Sequence, residues 1–229
     1  MAAEAPAPER RDRRGPVRLF GLLSWYDEQP WYLAEAAASL AAVCDRVIAV
    51  DGAYVGLPDG GPRSPIGQVD AITSSCSGSA LTLTWPGRVW PSEVAKRAYM
   101  FDVARQEAAD AEAWVLVLDA DELLVFAEAH LRAALEQVVC GVAVVKAVTV
   151  RDLTYVHELR RLFRLTAGLT VAGHHAEYVD GGRRLAGNEP ARLEPAADLT
   201  SMATIVHRQG VRTAERDEQR RAERASSAE

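Results

Sequence analysis

The chain has 229 residues, 48% of them hydrophobic and 25% charged, which suits one globular domain with a core of its own. A net charge of −6 excludes a broadly basic surface, so nucleic-acid binding is not expected. The three cysteines form no CxxC pair and lack zinc-ligand spacing, which favours free thiols and a cytoplasmic location. No apolar run is long enough to predict a transmembrane segment.

The N-terminal residues 1–16 are rich in Ala, Pro and Arg and lack the apolar stretch of a secretory signal. This composition predicts a disordered leader. The folded part is predicted to start at residue 17 and to form one continuous domain with two halves, 17–125 and 126–229.

The first half alternates between strand and helix patterns. β-Branched, apolar runs predict buried strands at 17–25, 46–52, 80–85 and 115–118. Helical spacing of apolar residues follows Pro30, and a second helix is predicted from Pro91 to Ala109 with Ser92 as its cap. The stretch 52–79, rich in Gly, Pro and Ser, predicts a long loop. This order predicts an α/β fold with an open, mostly parallel sheet and helices on both faces.

The second half changes pattern after residue 125. A helix is predicted at 128–138, followed by strand-like runs at 141–150, 159–165, 169–179 and 199–208 with little helix between them. These runs predict a smaller, mixed or antiparallel part built onto the first half. The polar segment 212–225 predicts a charged helix that forms a solvated surface or an oligomer contact.

The stretch WVLVLDADELLV, Trp114–Val125, ends a buried strand with three acids in four positions. Residues two apart in an extended strand point to the same side, so Asp119 and Asp121 are expected to face one way. Ligands of open parallel sheets lie beyond the carboxyl ends of the strands, where Asp51 is also expected. Carboxylates without nearby Cys favour Mg²⁺ or Mn²⁺, and such ions complete their shells with substrate phosphates. An acid pair that caps the next helix and faces water is the alternative interpretation.

Several separated stretches together resemble the GT-A glycosyltransferases, in particular family 2-like enzymes that use nucleotide-sugar donors. The resemblance covers about Val17 to Arg216. It is carried by LLSWYDEQPWYLAEAAASL, VIAVDGAY, SEVAKRAYMFDVA, WVLVLDADELL, RLFRLTAGLTVAGHHAEY and IVHRQGVRTAERDEQR. It implies the GT-A fold, with the half 17–125 binding the nucleotide sugar and the half 126–229 on the acceptor side.

The resemblance also implies residue roles. Nucleotide-sugar contacts would come from six residues: Asp51, Lys96, Arg97, Asp119, Arg208 and Arg212. The ligands of Mn²⁺ or Mg²⁺ would be Asp119, Asp121 and His207. The base that takes the acceptor's proton would be Glu177 or, as second choice, His175.

These roles imply metal-dependent transfer of a sugar from a nucleoside-diphosphate donor to a hydroxyl of an unidentified acceptor, which could be a glycan, a protein or a small molecule. Inversion of configuration is expected. Arg160, Arg161 and Arg164 are expected only to line a sheet face.

Two alternative functions remain open. DADELL resembles the DxD motif of haloacid-dehalogenase-like phosphatases, although Glu122 and Leu123 replace the expected Gly and Thr, and strands precede the motif. A degenerate glycosyltransferase domain that only binds a sugar, a nucleotide or a partner is the non-enzymatic alternative. A dinucleotide oxidoreductase is not expected, because GxGxxG is missing after the first strand.

Overall fold

The computed structural model describes residues 17–57, 60–85, 87–109, 111–127, 130–150, 156–173, 177–187 and 193–208. Within these ranges the helices are α1 Pro30–Ala41, α2 Ile66–Ser75, α3 Glu93–Ala108 and α4 Leu131–Gln137. The strands are β1 Arg18–Ser24, β2 Arg46–Val50, β3 Ala80–Thr84, β4 Ala113–Asp119, β5 Glu122–Ala127, β6 Val142–Thr149, β7 Val156–Arg164, β8 Leu169–Ala172, β9 Glu177–Asp180, β10 Arg183–Ala186, β11 Ala197–Asp198 and β12 Ala203–His207.

The main sheet has the strand order β3-β2-β1-β4-β7-β6-β12-β5, with β11 beside β6. Strands β3, β2, β1 and β4 are parallel, as their β-α-β connections require. Strand β7 runs antiparallel to β4 and β6, β12 runs parallel to β6, and β5 runs antiparallel to β12. The predicted α/β class with a mostly parallel sheet core and mixed strands in the second half is therefore confirmed. A separate antiparallel sheet contains β8, β9 and β10.

Hydrophobic side chains cover both faces of the main sheet. Alternate β1 residues point to opposite faces: Leu19 and Leu23 lie in a core with α1, α2 and α4, whereas Phe20 and Leu22 lie in a core with α3. The second core extends to the small sheet through Tyr178 of β9, whose ring stacks on Phe163 with 4.6 Å between centroids. Each core also contains residues of β6 or β7, so both draw on the two halves of the chain.

The strands from β4 to β5 curl strongly. Only Ala120 and Asp121 separate β4 from β5, so the end of β4 and the start of β5 lie at most about 11 Å apart. In a flat sheet, β7, β6 and β12 would hold the same strands about 19 Å apart. The sheet must therefore bend back on itself, and the start of β5 returns beside the end of β4.

Three sequence predictions of local structure are wrong. The loop predicted for 52–79 contains helix α2, which packs Val69, Ile72 and Cys76, the residue at its end, against the core. The extended conformation expected through Asp121 ends at Asp119, because Ala120 and Asp121 form a turn. The following strand β5 was not predicted.

The helix predicted at 128–138 is α4, which begins at Leu131. The helix predicted at 212–225 lies outside the described residues. No helix in the described ranges combines the length and the apolar character needed to cross a bilayer.

Candidate functional site

The candidate site lies at the carboxyl ends of the parallel strands β1, β2 and β4. Residue Asp119 is the last of β4 and pairs in register with Ser24, the last of β1. The turn 120–121 follows, and β5 then starts with Glu122, which pairs with His207 at the end of β12. The curl thus brings the end of β12 to the acid-rich turn, although the two are more than 80 positions apart in sequence.

Residue Asp119 is held between two guanidinium groups. Nη2 of Arg97, on α3, donates to Oδ1 at 2.6 Å, and Nη2 of Arg161, on β7, lies 3.2 Å from Oδ2. Burial alone would raise the pKa of Asp119, but the charges and hydrogen bonds of the two arginines outweigh it and hold the pKa well below its usual range. Asp119 is therefore ionised, and the positive charges of Arg97 and Arg161 balance its negative charge.

The carboxylate of Glu122 closes the same cluster. Its Oε1 accepts a 2.6 Å hydrogen bond from Nη2 of Arg161, and its Oε2 accepts the backbone N–H of Asp119 at 2.9 Å. Burial raises the pKa of Glu122, Arg161 opposes this, and the negative charge of Asp119 adds to it. Arg161 is thus the cation that allows two neighbouring carboxylates to share this buried place.

On the other side of the turn, Asp121 contacts His207. Its Oδ2 lies 3.2 Å from Nε2 of the imidazole, and its backbone carbonyl accepts the N–H of Arg208 at 2.8 Å. Two ligand atoms that occupy neighbouring positions around an octahedral Mg²⁺ or Mn²⁺ lie about 3 Å apart. The separation of Oδ2 and Nε2 is therefore compatible with binding of both atoms to one such ion. The described residues contain no group of three His, Cys, Asp or Glu side chains arranged to hold a metal. A divalent ion at this pair would need its remaining ligands from water or substrate.

The two imidazoles near the turn are shifted in opposite directions. Burial would lower the pKa of His207, but the hydrogen bond and charge of Asp121 outweigh it and raise the pKa. Burial lowers the pKa of His157, on β7, and the charges of His207 and Arg161 add to this. The neighbouring carboxylate of Asp121 therefore favours the protonated form of His207, whereas burial favours the neutral form of His157.

Arg208 packs its side chain against helix α1. The guanidinium lies 4.3 Å from the centre of the Tyr32 ring, bonds to the carboxylate of Glu35 and donates to the Tyr32 carbonyl at 3.2 Å. Trp31 stacks on Tyr32 with 3.7 Å between ring centroids and is half exposed. The structure thus places Arg208 next to Asp121 through its backbone, with its charge directed to α1.

Lys96 joins the loops that follow β1 and β2. Its Nζ is buried and donates to the carbonyls of Trp25 at 2.5 Å and Gly52 at 2.7 Å. Lys96 and Arg97 are neighbours on α3, so one helix supports the ends of three parallel strands.

Asp51 is fully buried and organises the loop after β2. Its Oδ1 accepts from the N–H of Gly52 and the hydroxyl of Ser64, both at 2.6 Å, and its Oδ2 accepts from the N–H of Ser64 at 2.8 Å. The Ser64 hydroxyl also accepts the N–H of Asp27, a residue with a φ of 47°. In this structure Asp51 therefore supports the loop around the site, and its contact with a nucleoside stays a prediction.

Glu177, the first choice for the base, begins β9 in the small sheet. Its carboxylate forms a 3.0 Å ion pair with Arg184 and packs against Gly173 and Gly187. Its neighbour Tyr178 points to the opposite face of β9, into the core beside Arg97 and Arg161. His175, the second choice for the base, and Arg212, a predicted diphosphate contact, both lie outside the described residues.

Sequence reasoning missed Arg161 as a member of the site. Arg161 was expected only to line a sheet face. Its contact with the turn depends on the curl of the sheet, which no local sequence pattern predicts. The basic residue at a strand position next to large apolar residues, in LRRLFRL, was the one available signal.

No protein-family model matches the chain, and no curated protein matches it either. The site is defined by an acid-rich turn at the carboxyl edge of the parallel strands, by Arg97 and Arg161 on one side of the turn, and by His207 on the other.

Proposed function

We propose that the chain is a metal-dependent glycosyltransferase of the GT-A type, which transfers a sugar from a nucleoside-diphosphate donor to an acceptor hydroxyl. The supporting observation is the contact between Asp121 and His207 at the carboxyl ends of the parallel strands. Ligands of open α/β sheets bind at this edge. A carboxylate and an imidazole there leave most of the shell of Mg²⁺ or Mn²⁺ to the phosphates of a donor.

In this proposal, different residues of the site bind the metal ion, the diphosphate and the ribose of the donor. Asp121 and His207 would hold the ion, and the chemistry it supplies when bound is stabilisation of the charge on the departing nucleoside diphosphate. In this proposal Arg208 and Arg212 add positive charge near the same diphosphate, although the guanidinium of Arg208 is also bound to Glu35 on α1. Asp119 is matched by Arg97 and Arg161, so its part is to anchor the turn as well as to approach the ribose.

On the acceptor side, an inverting transfer needs a group that takes the proton of the attacking hydroxyl. Glu177 and His175 are the proposed candidates. The ion pair with Arg184 holds the carboxylate of Glu177 in place at the start of β9.

The test is a thermal-shift screen of UDP- and GDP-sugars with and without Mn²⁺, combined with an assay for release of nucleoside diphosphate. We expect a donor to raise the melting temperature only when Mn²⁺ is present, because a ligand that binds only the folded state stabilises it. Asp121→Asn should remove this effect and turnover. Asp102→Asn is the matched control, because it removes an exposed acid of α3 that pairs with Arg105.

Each other outcome has a distinct meaning. Metal-dependent binding and turnover that survive in Asp121→Asn would show that the proposal is wrong. Hydrolysis of simple phosphomonoesters without any sugar nucleotide would instead support a phosphatase. Donor binding without turnover for any glycan, protein or small-molecule acceptor would support a binding domain.

A further inference from the structure

A β-bulge in β7 gives Arg161 an exceptional position. The pairing of β6 with β7 runs from Ala143 opposite Leu162 to Val144 opposite Arg160, so Arg161 is the extra residue without a partner on β6. The ladder between β4 and β7 also ends at Leu162, opposite Leu116. Bulges bend a strand and redirect a side chain, and they are frequent beside active sites.

We infer that Arg161 is a positioning residue of the proposed transferase, which binds the carboxylates of Asp119 and Glu122 and thereby fixes the turn that presents Asp121. The inference rests on the proposed function for its catalytic consequence. Its structural part, the control of the turn by one guanidinium, stands on the contacts alone.

The contacts form a continuous path from β7 to the turn. Nη2 of Arg161 lies 2.6 Å from Oε1 of Glu122 and 3.2 Å from Oδ2 of Asp119. The other oxygen of Glu122 accepts the backbone N–H of Asp119 at 2.9 Å. Both ends of the two-residue turn are thus attached to the same guanidinium, and Asp121 lies between them.

The path crosses the curl of the sheet. In a flat sheet, β7 and β5 would be about 14 Å apart, with β6 and β12 between them. The direct bond from Arg161 to Glu122 shows that the curl brings these strands face to face. The guanidinium therefore ties the two ends of the curled part together at the place where Asp121 and His207 meet.

Charge explains why an arginine is needed there. The side chains of Arg161 and Glu122 are 14% and 3% exposed, so loss of the arginine would leave a buried carboxylate without its countercharge. Both carboxylates are contacted by the one nitrogen Nη2, so the ammonium of a lysine can replace part of this contact. Without Arg161, Glu122 no longer holds the N–H of Asp119, and the turn loses a fixed end.

Arg160 is a matched control on the same strand. It is the neighbouring residue and is also partly buried, but its Nη1 donates to the backbone carbonyls of Leu185 at 2.9 Å and Glu194 at 2.5 Å. It therefore ties β7 to the region of β10 and has no described contact with the acid-rich turn. Loss of Arg160 should affect stability but not the turn.

The experiment compares Arg161→Gln, Arg161→Lys and Arg160→Gln in the full chain. Amide exchange of Asp119 is followed by NMR, Mn²⁺ affinity by electron paramagnetic resonance, and kcat and KM with the sugar nucleotide found in the donor screen. We expect Arg161→Gln to lose at least about tenfold in protection of the Asp119 amide and in Mn²⁺ affinity, as for other residues that orient metal ligands. Its kcat should fall more than its KM rises, Arg161→Lys should recover part of the loss, and Arg160→Gln should leave these values unchanged.

Unchanged Asp119 protection and Mn²⁺ affinity in folded Arg161→Gln would overturn the inference, and so would equal losses in Arg160→Gln. If Arg161→Gln does not fold, Glu122→Gln provides the same comparison, since it breaks the same ion pair. If the wild-type chain binds no sugar nucleotide with Mn²⁺, the proposed function fails by itself. The exchange of the Asp119 amide then still shows whether Arg161 controls the turn.

Discussion

Asp119 and Asp121 carry the same carboxylate two positions apart, yet the fold gives them different electrostatic partners. Asp119 faces two guanidinium groups, which already balance its charge. Asp121 contacts the imidazole of His207, and imidazole is itself a common metal ligand. A short acidic motif can thus divide into one residue that anchors the turn and one that is suited to a cation.

The pKa of His207 provides a test of this division. Because the folded pKa is raised above the ordinary value of about 6.5, the ion pair with Asp121 stabilises the metal-free protein below that pH. This contribution is lost as the pH rises through the folded pKa. We expect NMR titration in the presence of chelator to show His207 titrating above 6.5, and Mg²⁺ with nucleoside diphosphate to lower its apparent pKa, because the ion competes with the proton for Nε2.

Two comparisons control this titration. His157, whose pKa is lowered by burial and by the charges of His207 and Arg161, should titrate below 6.5. In Asp121→Asn the pKa of His207 should fall, since burial remains and the neighbouring negative charge is gone. A His207 that titrates at the same pH in wild type and in Asp121→Asn would contradict the assigned contact.

At the scale of elements, helix α3 supports the whole carboxyl edge of the parallel strands. Lys96 binds the carbonyls that follow β1 and β2, and Arg97 binds Asp119 at the end of β4. We expect Lys96→Met to lower the free energy of unfolding by about 3 kcal/mol, because two carbonyls lose a charged donor in a buried place. Urea unfolding monitored by circular dichroism measures this change.

The other lysine in the chain, Lys146, is the natural control. It lies on β6, partly exposed and opposite Glu158. Lys146→Met should change the free energy of unfolding by less than about 1 kcal/mol, as is usual for partly exposed positions. Equal losses of unfolding free energy in the two variants would show that the bonds of Lys96 to the loop carbonyls do not contribute to stability beyond the ordinary effect of replacing a lysine.

The elements that sequence patterns predict are those whose pattern is local. Strands β1, β2, β3 and β4 and helices α1 and α3 show apolar runs or repeats, and Ser92 caps α3 by accepting the N–H of Ala95 at 3.1 Å as expected. Helix α2 was not predicted because its core-facing residues, Val69, Ile72 and Cys76, lie in a stretch rich in Gly, Pro and Ser, a composition that favours a loop. Strand β5 was not predicted because it follows β4 after only two residues. The sequence there was interpreted as one extended run, whereas the chain turns between the two strands.

The candidate site was predictable to the extent that it depends on strand ends. Asp121 was expected at the carboxyl edge of the sheet, and its contact with His207 places two of the three expected metal ligands together. The third, Asp119, is bound by Arg97 and Arg161. The role of Arg161 could not be predicted, since it needs both the bulge and the curl, and each depends on pairing between distant strands. The buried position of Asp51 likewise depends on a loop contact with Ser64 that has no sequence signature.

At the scale of the whole molecule, the two halves of the chain share one sheet and both hydrophobic cores. Strand β4 pairs directly with β7, and β5 crosses to the far side of β12. The core around α1 contains Leu162 and Ile205, and the core around α3 contains Phe163 and Leu169. Neither half can therefore unfold without exposing apolar surface of the other.

We accordingly expect one cooperative unfolding transition, although chains of this size often populate intermediates. The fully buried Trp25 and Trp114 report on the first half by fluorescence, whereas far-ultraviolet circular dichroism reports on both halves. The two midpoints in urea should coincide in the wild-type chain, and Lys96→Met should lower both by the same amount. Lys96→Met could instead show a second transition by circular dichroism that stays at the wild-type midpoint. This result would mean that the second half is stable alone and that the shared cores do not couple the two halves.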